Sequence, residues 1–534
     1  MKKNLILLTI IVFLGVFIRF YQLGSVPLSL NWDEVSIGYN AYSILHSGKD
    51  EYGTTYPLTF RSFGDYKQPV YIYLSTIPIK FLGLNEVSVR FLSSFMGSIS
   101  VIFVYLLVRE LFYKSKNKET FAIFSTGLYA ISPWSVQFSR FASEANVGMC
   151  LVIGGAFLFL YAIRKNNLFY LLLSAIIFTF SMYTYHSQKV FTPFLVCILF
   201  VIHFRYLLKN RVKTLLFIVL FILLNLFWIV DPSSTARGKS VLITSGQTQL
   251  LENPIKYGYQ DKQSGDVIGA ILHNRRAVYL QVFLKNYLSH FDPSFLFLEG
   301  DNARHHAPYM GVEYLITLPF IVIGLLHLWR NYRFQAKFLS AWLIVAPITS
   351  SLAIDSPNAI RSMMFLPILQ IFGAFGIWSM YQQLKYRMKK IIILLIIVGY
   401  LVNFSYYLHH YFNHTNLLYA RYWQFGYKEA VLKATSIKDI PVVFAPDIEQ
   451  GYVFYLFYSQ QNPSKYLEKN GSDMASDKCF GIENKYFGNC LDQFDKGYYV
   501  SSKPLPQTLN SESNEMISYP DKTTAVTLYR FTKK

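Results

Sequence analysis

Charge is what this chain has least of. Of its 534 residues only 15% are Asp, Glu, Lys or Arg, against about a quarter in soluble domains. With 53% hydrophobic residues and a mean hydropathy of +0.28, neither an ordinary cytosolic enzyme nor a disordered chain fits. Cysteine is scarce too, four in all, which excludes a disulfide-stapled mini-domain. No internal repeat, low-complexity tract, heptad run or glycine-rich nucleotide loop is present. Carboxylates are missing from long stretches: none lies between Glu144 and Asp231, and only Asp355 lies between Glu313 and the end of the apolar runs. Ion-coupled transporters place carboxylates near the bilayer midplane, so their absence speaks against that class.

Long apolar runs and aromatics are abundant. Aromatic residues reach 18%, with 41 Tyr and 46 Phe, the supply that interfacial belts draw on. The net charge of +19 suggests nucleic acid at first sight, but the cations sit in short gaps between apolar runs. These gaps hold Arg109 with Lys114, Lys116 and Lys118; Arg164 with Lys165; Arg205 to Lys213; Arg330 to Lys337; and Lys385 to Lys390. Short basic loops mark the cytoplasmic side, so the charge is topological and nucleic-acid binding is set aside. Lys2 and Lys3 precede an apolar run too long for a signal peptide, which makes it an uncleaved first span with the N-terminus inside. Further spans are expected at 88–109, 120–138, 144–163, 168–186, 189–208, 213–230, 312–329, 337–354, 359–380 and 390–409. About eleven spans put every basic gap inside and the tail outside.

The expected architecture is therefore an all-α polytopic membrane domain over 1–412, with outer loops at 25–87 and 231–311. A small extracytoplasmic α/β domain follows over 413–534, with a helix from Tyr422, a strand from Ile440 and a late strand from Thr523. Cys479 and Cys490 lie in that tail and are placed to bridge in an oxidising compartment. A zinc pair is the weaker reading, since no His or second Cys pair lies near them.

Polar groups collect in the outer loops. The first opens with Asn31-Trp32-Asp33-Glu34 and later carries Arg61-Ser62-Phe63-Gly64-Asp65-Tyr66-Lys67-Gln68-Pro69. Adjacent carboxylates can supply a general base with an orienting partner, and a lysine can meet a phosphate as a point charge. The bland alternative is a solvated turn with ordinary surface charges. Arg140 and Glu144 stand i,i+4 and can merely pair, Arg361 can snorkel to headgroups, and Tyr183, Tyr185, His186 and Lys189 can be belt anchors.

Taken together in order and spacing, these pieces resemble the polyprenyl-phosphate-dependent branch of the GT-C superfamily of membrane glycosyltransferases. That branch includes the protein O-mannosyltransferases and the lipid A aminoarabinose transferases. The matching segments are Asp33-Glu34, Asp65 to Pro69, Phe81 to Phe91, Ser132-Pro133-Trp134, Arg140 to Glu144, Tyr183 to His186, Gly300 to His305 and Asp355 to Arg361. Many relatives read Asp-Lys-Pro-Pro where this chain has Asp65-Tyr66-Lys67-Gln68-Pro69. The resemblance implies a plasma-membrane glycosyltransferase that moves a sugar, with inversion, from a polyprenyl-phosphate donor to an acceptor hydroxyl on a glycan, lipid or protein outside the membrane. It implies Asp33 as base with Glu34 beside it. Lys67, Arg140, Arg304, His305 and Arg361 would hold the donor phosphate, and Asp65, Tyr66, Glu144, Tyr185, His186 and Asp301 would line the substrate site. No cofactor is implied, and a divalent metal is left open. A lipid-linked-sugar flippase or transporter, and a surface-glycan polymerase or ligase, are the competing readings.

Overall fold

The computed structural model describes residues 2–230, 242–245, 248–469, 471–476 and 478–534. The apolar runs become helices, because a backbone without water must satisfy its hydrogen bonds internally. They are α1 (Lys2–Phe20), α4 (Glu86–Leu111), α5 (Lys118–Ile131), α6 (Glu144–Lys165), α7 (Leu168–Met182), α8 (Gln188–Ile202) and α9 (Arg211–Val230). Farther along come α13 (Thr317–Asn331), α14 (Arg333–Val345), α15 (Leu366–Gln383) and α16 (Tyr386–His409). By length and composition, six helical segments suffice to cross a membrane among the described residues, and α7 and α8 are shorter apolar helices. The protein is a multi-pass membrane protein with large apolar side chains facing outward, such as Phe13 at 71% and Val212 at 72% exposed.

The segment expected as the first outer loop, 25–87, is more ordered than its polar, glycine-bearing sequence suggests. It folds as α2 (Trp32–Ser47), a hairpin of β1 (Phe60–Ser62) and β2 (Asp65–Lys67), and the apolar helix α3 (Pro69–Leu82). Pro69 sits at the start of α3, where its missing N–H costs nothing. In the second outer loop lie α10 (Thr248–Ser264), α11 (Val267–Leu272) and α12 (Arg275–Ser289); its residues 231–241 are outside the described ones.

Two units emerge. The first comprises 1–15, 97–137 and 145–405. Within it α13 and α15 cross so closely that a Cβ on Gly324 would lie 1.8 Å from the Phe372 carbonyl oxygen, and one on Gly376 1.9 Å from that of Phe320. Only glycine permits that approach, the means by which helices pack without a hydrophobic drive in lipid. The second unit comprises 16–96, 138–144 and 406–534. It contains the first outer loop and a six-stranded sheet of order β4-β5-β3-β6-β8-β7. These strands are β3 (Val442–Phe444), β4 (Cys479–Ile482), β5 (Lys485–Gly488), β6 (Lys496–Ser501), β7 (Leu509–Ser518) and β8 (Thr524–Lys533). Strand β3 runs parallel to β5 and β6, and the other pairs are antiparallel. The expected strands from Ile440 and Thr523 are β3 and β8. The helix expected from Tyr422 begins later, at Tyr427, because a 3-10 turn over Ala420–Trp423 precedes it. Cys479 and Cys490 form the disulfide, in a core with Val443, Leu509 and Phe531.

Candidate active site

In the second unit the site starts from the N-terminus of α2. Asn31 caps it: its Oδ1 accepts from the Glu34 N–H at 3.1 Å, and Glu34 Oε2 accepts from the Asn31 N–H at 3.1 Å. This reciprocal box satisfies two otherwise orphaned donors. The same Glu34 carboxylate is gripped by Arg90 of α4, Nε to Oε1 at 2.9 Å and Nη2 to Oε2 at 3.2 Å. Oε1 also accepts the Ala142 N–H at 2.9 Å. Arg90 further donates to the carbonyls of Leu23, Pro27 and Ser29. Both side chains are essentially unexposed.

Glu34, expected as a catalytic carboxylate, has each of its oxygens accepting two bonds. Arg140, expected on the donor phosphate, is held as tightly by backbone. Its Nη atoms donate to the carbonyls of Ile18, Arg19, Gln22 and Val26, and its guanidinium stacks on Tyr411 and Phe412. It is a fully buried cation clamping four carbonyls at the end of α1.

Asp33, one position before Glu34, points the other way. It forms an ion pair with Lys67 Nζ in which the carboxylate is 47% exposed and the lysine side chain only 6%. The hairpin delivers that lysine. Its turn places Phe63 at φ +53° and Gly64 at φ +79°, the left-handed pair that suits a two-residue hairpin, and Lys67 lies opposite Phe60 in the register. Ser36 Oγ, one turn after Asp33, lies 3.1 Å from Ser62 Oγ and ties the hairpin to α2. Asp65 and Tyr66 lie in the same strand, half-buried, where Asp65 accepts the Tyr66 N–H at 2.7 Å. The pair sets a buried ammonium, with three donors, behind a half-exposed carboxylate.

Glu51 was not singled out from the sequence. It is fully buried, its Oε1 accepting from Asn40 Nδ2 at 2.8 Å and its Oε2 from Ser472 Oγ at 2.7 Å. The Ser472 N–H donates to the Glu51 carbonyl at 2.8 Å, and nearby Arg61 pairs with Asp473 at 2.7 Å. Gly471 makes the approach feasible: at φ +54°, a Cβ there would lie 2.6 Å from the Glu51 carbonyl oxygen. Burial pushes the Glu51 carboxyl up to about 7, against the downward pull of Ser472, Asn40 and Lys67.

In the first unit the Gly300 to His305 and Asp355 to Arg361 segments meet. Asp301 Oδ2 accepts from His305 Nδ1 at 2.7 Å and from the Ala359 N–H at 2.9 Å. Burial alone would raise the Asp301 carboxyl, but His305 and the Ala359 and Asn302 amides together hold it below the ordinary range. Arg304 is half-buried, its carbonyl accepting from Gln137 Nε2 at 3.1 Å. Arg361 is half-buried and donates to the Asp355 carbonyl at 3.2 Å. Tyr185 is buried at 6% exposure and His186 half-buried, while Glu144 begins α6. Ser132 of the Ser-Pro-Trp motif donates to Glu313, which also accepts from Gln370 at 2.7 Å. Asp33 with Lys67 and Asp301 with His305 therefore fall in different units. Among the described residues no group of three or more His, Cys, Asp or Glu could hold a metal ion. Arg90 and Glu313 were legible only as charges at the heads of apolar runs, a placement that costs enough to imply a purpose.

Three comparisons bear on this geometry. The family model described as dolichyl-phosphate-mannose-protein mannosyltransferase matches residues 66–228, which include Lys67 and Arg90. No curated protein matches the chain. The chain has the fold of ArnT from Cupriavidus metallidurans bound to undecaprenyl phosphate, at TM-score 0.55 and 12% identity over 98% of this chain and 97% of that one. It is also similar to the archaeal oligosaccharyltransferase AglB from Archaeoglobus fulgidus, in complex with an inhibitory peptide and a dolichol-phosphate, at TM-score 0.52 and 14% identity. That match covers 85% of this chain but only 63% of AglB. Residues 66–228 thus match the dolichyl-phosphate-mannose-protein mannosyltransferase family model, and the chain shares its fold with ArnT and AglB.

Proposed function

We propose that the protein transfers a sugar from a polyprenyl-phosphate donor to an acceptor hydroxyl at the outer face of the plasma membrane, inverting the anomeric carbon. The observation that carries this reading is the Asp33–Lys67 pair, a buried cation behind a solvent-facing carboxylate on a rigidly capped helix. The acceptor oxygen attacks the anomeric carbon as the bond from that carbon to the phosphate oxygen breaks. Asp33 takes the hydroxyl proton. A carboxylate is a weak base for an alcohol, so proton transfer is concerted with attack. The polyprenyl phosphate leaves with one more negative charge, which the preorganised Lys67 ammonium stabilises. By the resemblance, Arg304, His305 and Arg361 are further cationic candidates for a phosphate, and Asp65, Tyr66, Glu144, Tyr185, His186 and Asp301 for the sugar or acceptor. No step is routed through a metal.

The topology belongs to the same reading: about eleven spans, the N-terminus cytoplasmic, and the outer loops and residues 413–534 extracytoplasmic. The Cys479–Cys490 disulfide supports an oxidising side for the tail. The test is transfer by purified protein from a synthetic polyprenyl-phosphate sugar. Asp33→Asn is expected to lower turnover about 10²-fold or more with donor binding kept, since only the proton acceptor is lost. Wild-type protein that moves the lipid-linked sugar across vesicles without forming product supports a flippase instead.

A further inference from the structure

From Val267 to Phe291 the chain has Arg275, Arg276 and Lys285 and no carboxylate. Helix α12 within it is two-faced. One face packs inside the first unit: Val278 and His290 are buried, and Asn286 Nδ2 donates to the Ser351 and Ala353 carbonyls at 3.3 and 3.1 Å. The His290 ring lies against Phe295 and Phe365. Opposite, at helical spacing, Leu280, Leu284, Leu288 and Phe291 are 57, 47, 65 and 38% exposed. Arg276 continues that line toward the N-terminus, and Lys285 flanks it. The preceding α11 adds Val267, Ile268, Ile271 and Leu272, each at least half exposed.

The level of this stripe is set by one bond. Tyr287 Oη donates to the Ile344 carbonyl at 2.8 Å, at the end of the apolar helix α14 remote from Arg333. Ile344 is itself 57% exposed, so the stripe continues the exposed apolar surface of α14, which overlaps the span expected over 337–354. We propose that α11 and α12 form an interfacial arm resting on an anionic bilayer. Leu280, Leu284, Leu288 and Phe291 lie at the acyl boundary, and Arg275, Arg276 and Lys285 lie among the phosphate headgroups. An apolar face bordered by cations and Tyr residues is the pattern that binds such a surface. A second copy would bring the same cations against these, which argues for lipid.

The arm is tested in the full chain, with Cys150 and Cys197 replaced by Ser and the disulfide kept. An environment-sensitive fluorophore is placed on a single Cys at Leu284, at Ile268, or at the reference position Lys522 in the β7–β8 turn. Reconstitution is into phosphatidylglycerol–phosphatidylcholine vesicles containing lipids brominated near the headgroup. Quenching about threefold or more above the reference is expected at Leu284 and Ile268. It should weaken when Arg275, Arg276 and Lys285 are changed to Gln, and more so in anionic than in zwitterionic vesicles. Probes quenched by aqueous acrylamide but not by brominated lipid overturn the proposal. So does quenching between copies that vanishes when the protein is diluted in lipid. A photocrosslinking residue at Leu284 in the otherwise native chain keeps the question open to decision if the Ser background does not fold. Adducts of lipid mass support the arm, and adducts to a second polypeptide overturn it.

Discussion

Replacing Glu34 by Gln separates two adjacent carboxylates that look alike in the sequence. In the native protein Oε1 accepts from Arg90 Nε and the Ala142 N–H, and Oε2 from Arg90 Nη2 and the Asn31 N–H. An amide set in that place turns its NH2 toward two donors whichever way it is flipped, so two bonds are lost and two donor–donor repulsions are gained. The Arg90 guanidinium, fully buried, also loses its counter-charge. Breaking a buried pair from one side costs about 3–5 kcal/mol, most of it the stranded charge. For a unit of about two hundred residues each kcal/mol moves Tm by about 2–4 °C, so a drop of about 6–20 °C is expected. Thermal unfolding of purified protein in detergent, followed by tryptophan fluorescence, measures it. Asp33→Asn, at a half-exposed position, also unpairs Lys67 but should lower Tm less than Glu34→Gln does, while turnover falls. A Glu34→Gln protein with native Tm and lost turnover would refute the division, and Glu34 would return to the chemistry.

Lys67→Ala should weaken donor binding as well as turnover, because the ammonium meets the phosphate before and during charge growth; titration with undecaprenyl phosphate reads the first effect separately. Asp301 is held below its ordinary range, so its contribution to stability is present above the unfolded carboxylate value and lost as pH falls through the folded one. Asp301→Asn should flatten the acid limb of the Tm–pH curve. Glu51 has the opposite sign. Its carboxyl is raised from 4.5 to about 7, so its contribution is present below about 4.5 and lost as pH rises through about 7. Hydrogen exchange of the segment around Ser472 should therefore quicken between those values, and Glu51→Gln should abolish that dependence.

Read alone, the sequence determined what depends on near neighbours. Runs of apolar residues longer than a bilayer needs could only be helices, because lipid offers no partner for an open backbone. Short basic gaps carried the expected sidedness, and the alternating apolar pattern after Thr523 announced strand β8. The Asp301–His305 bond spans four residues and lies within one motif. Asp33 and Lys67 were each singled out through the resemblance, but not their pairing, since thirty-four positions of intervening chain conceal how a hairpin returns to a helix. Tertiary structure alone decided between Asp33 and Glu34. Consecutive helical residues point about 100° apart, and nothing local says which direction is the core; Arg90, fifty-six positions away, says it. Likewise nothing local showed that the Nη donors of Arg140 go to four carbonyls at the end of α1. Glu51 had no visible purpose until Ser472, 421 positions later, reached it. A charge is read from the sequence, but its duty is set by whatever distant groups remove its water, because desolvation and pairing are properties of the packed site and not of the chain.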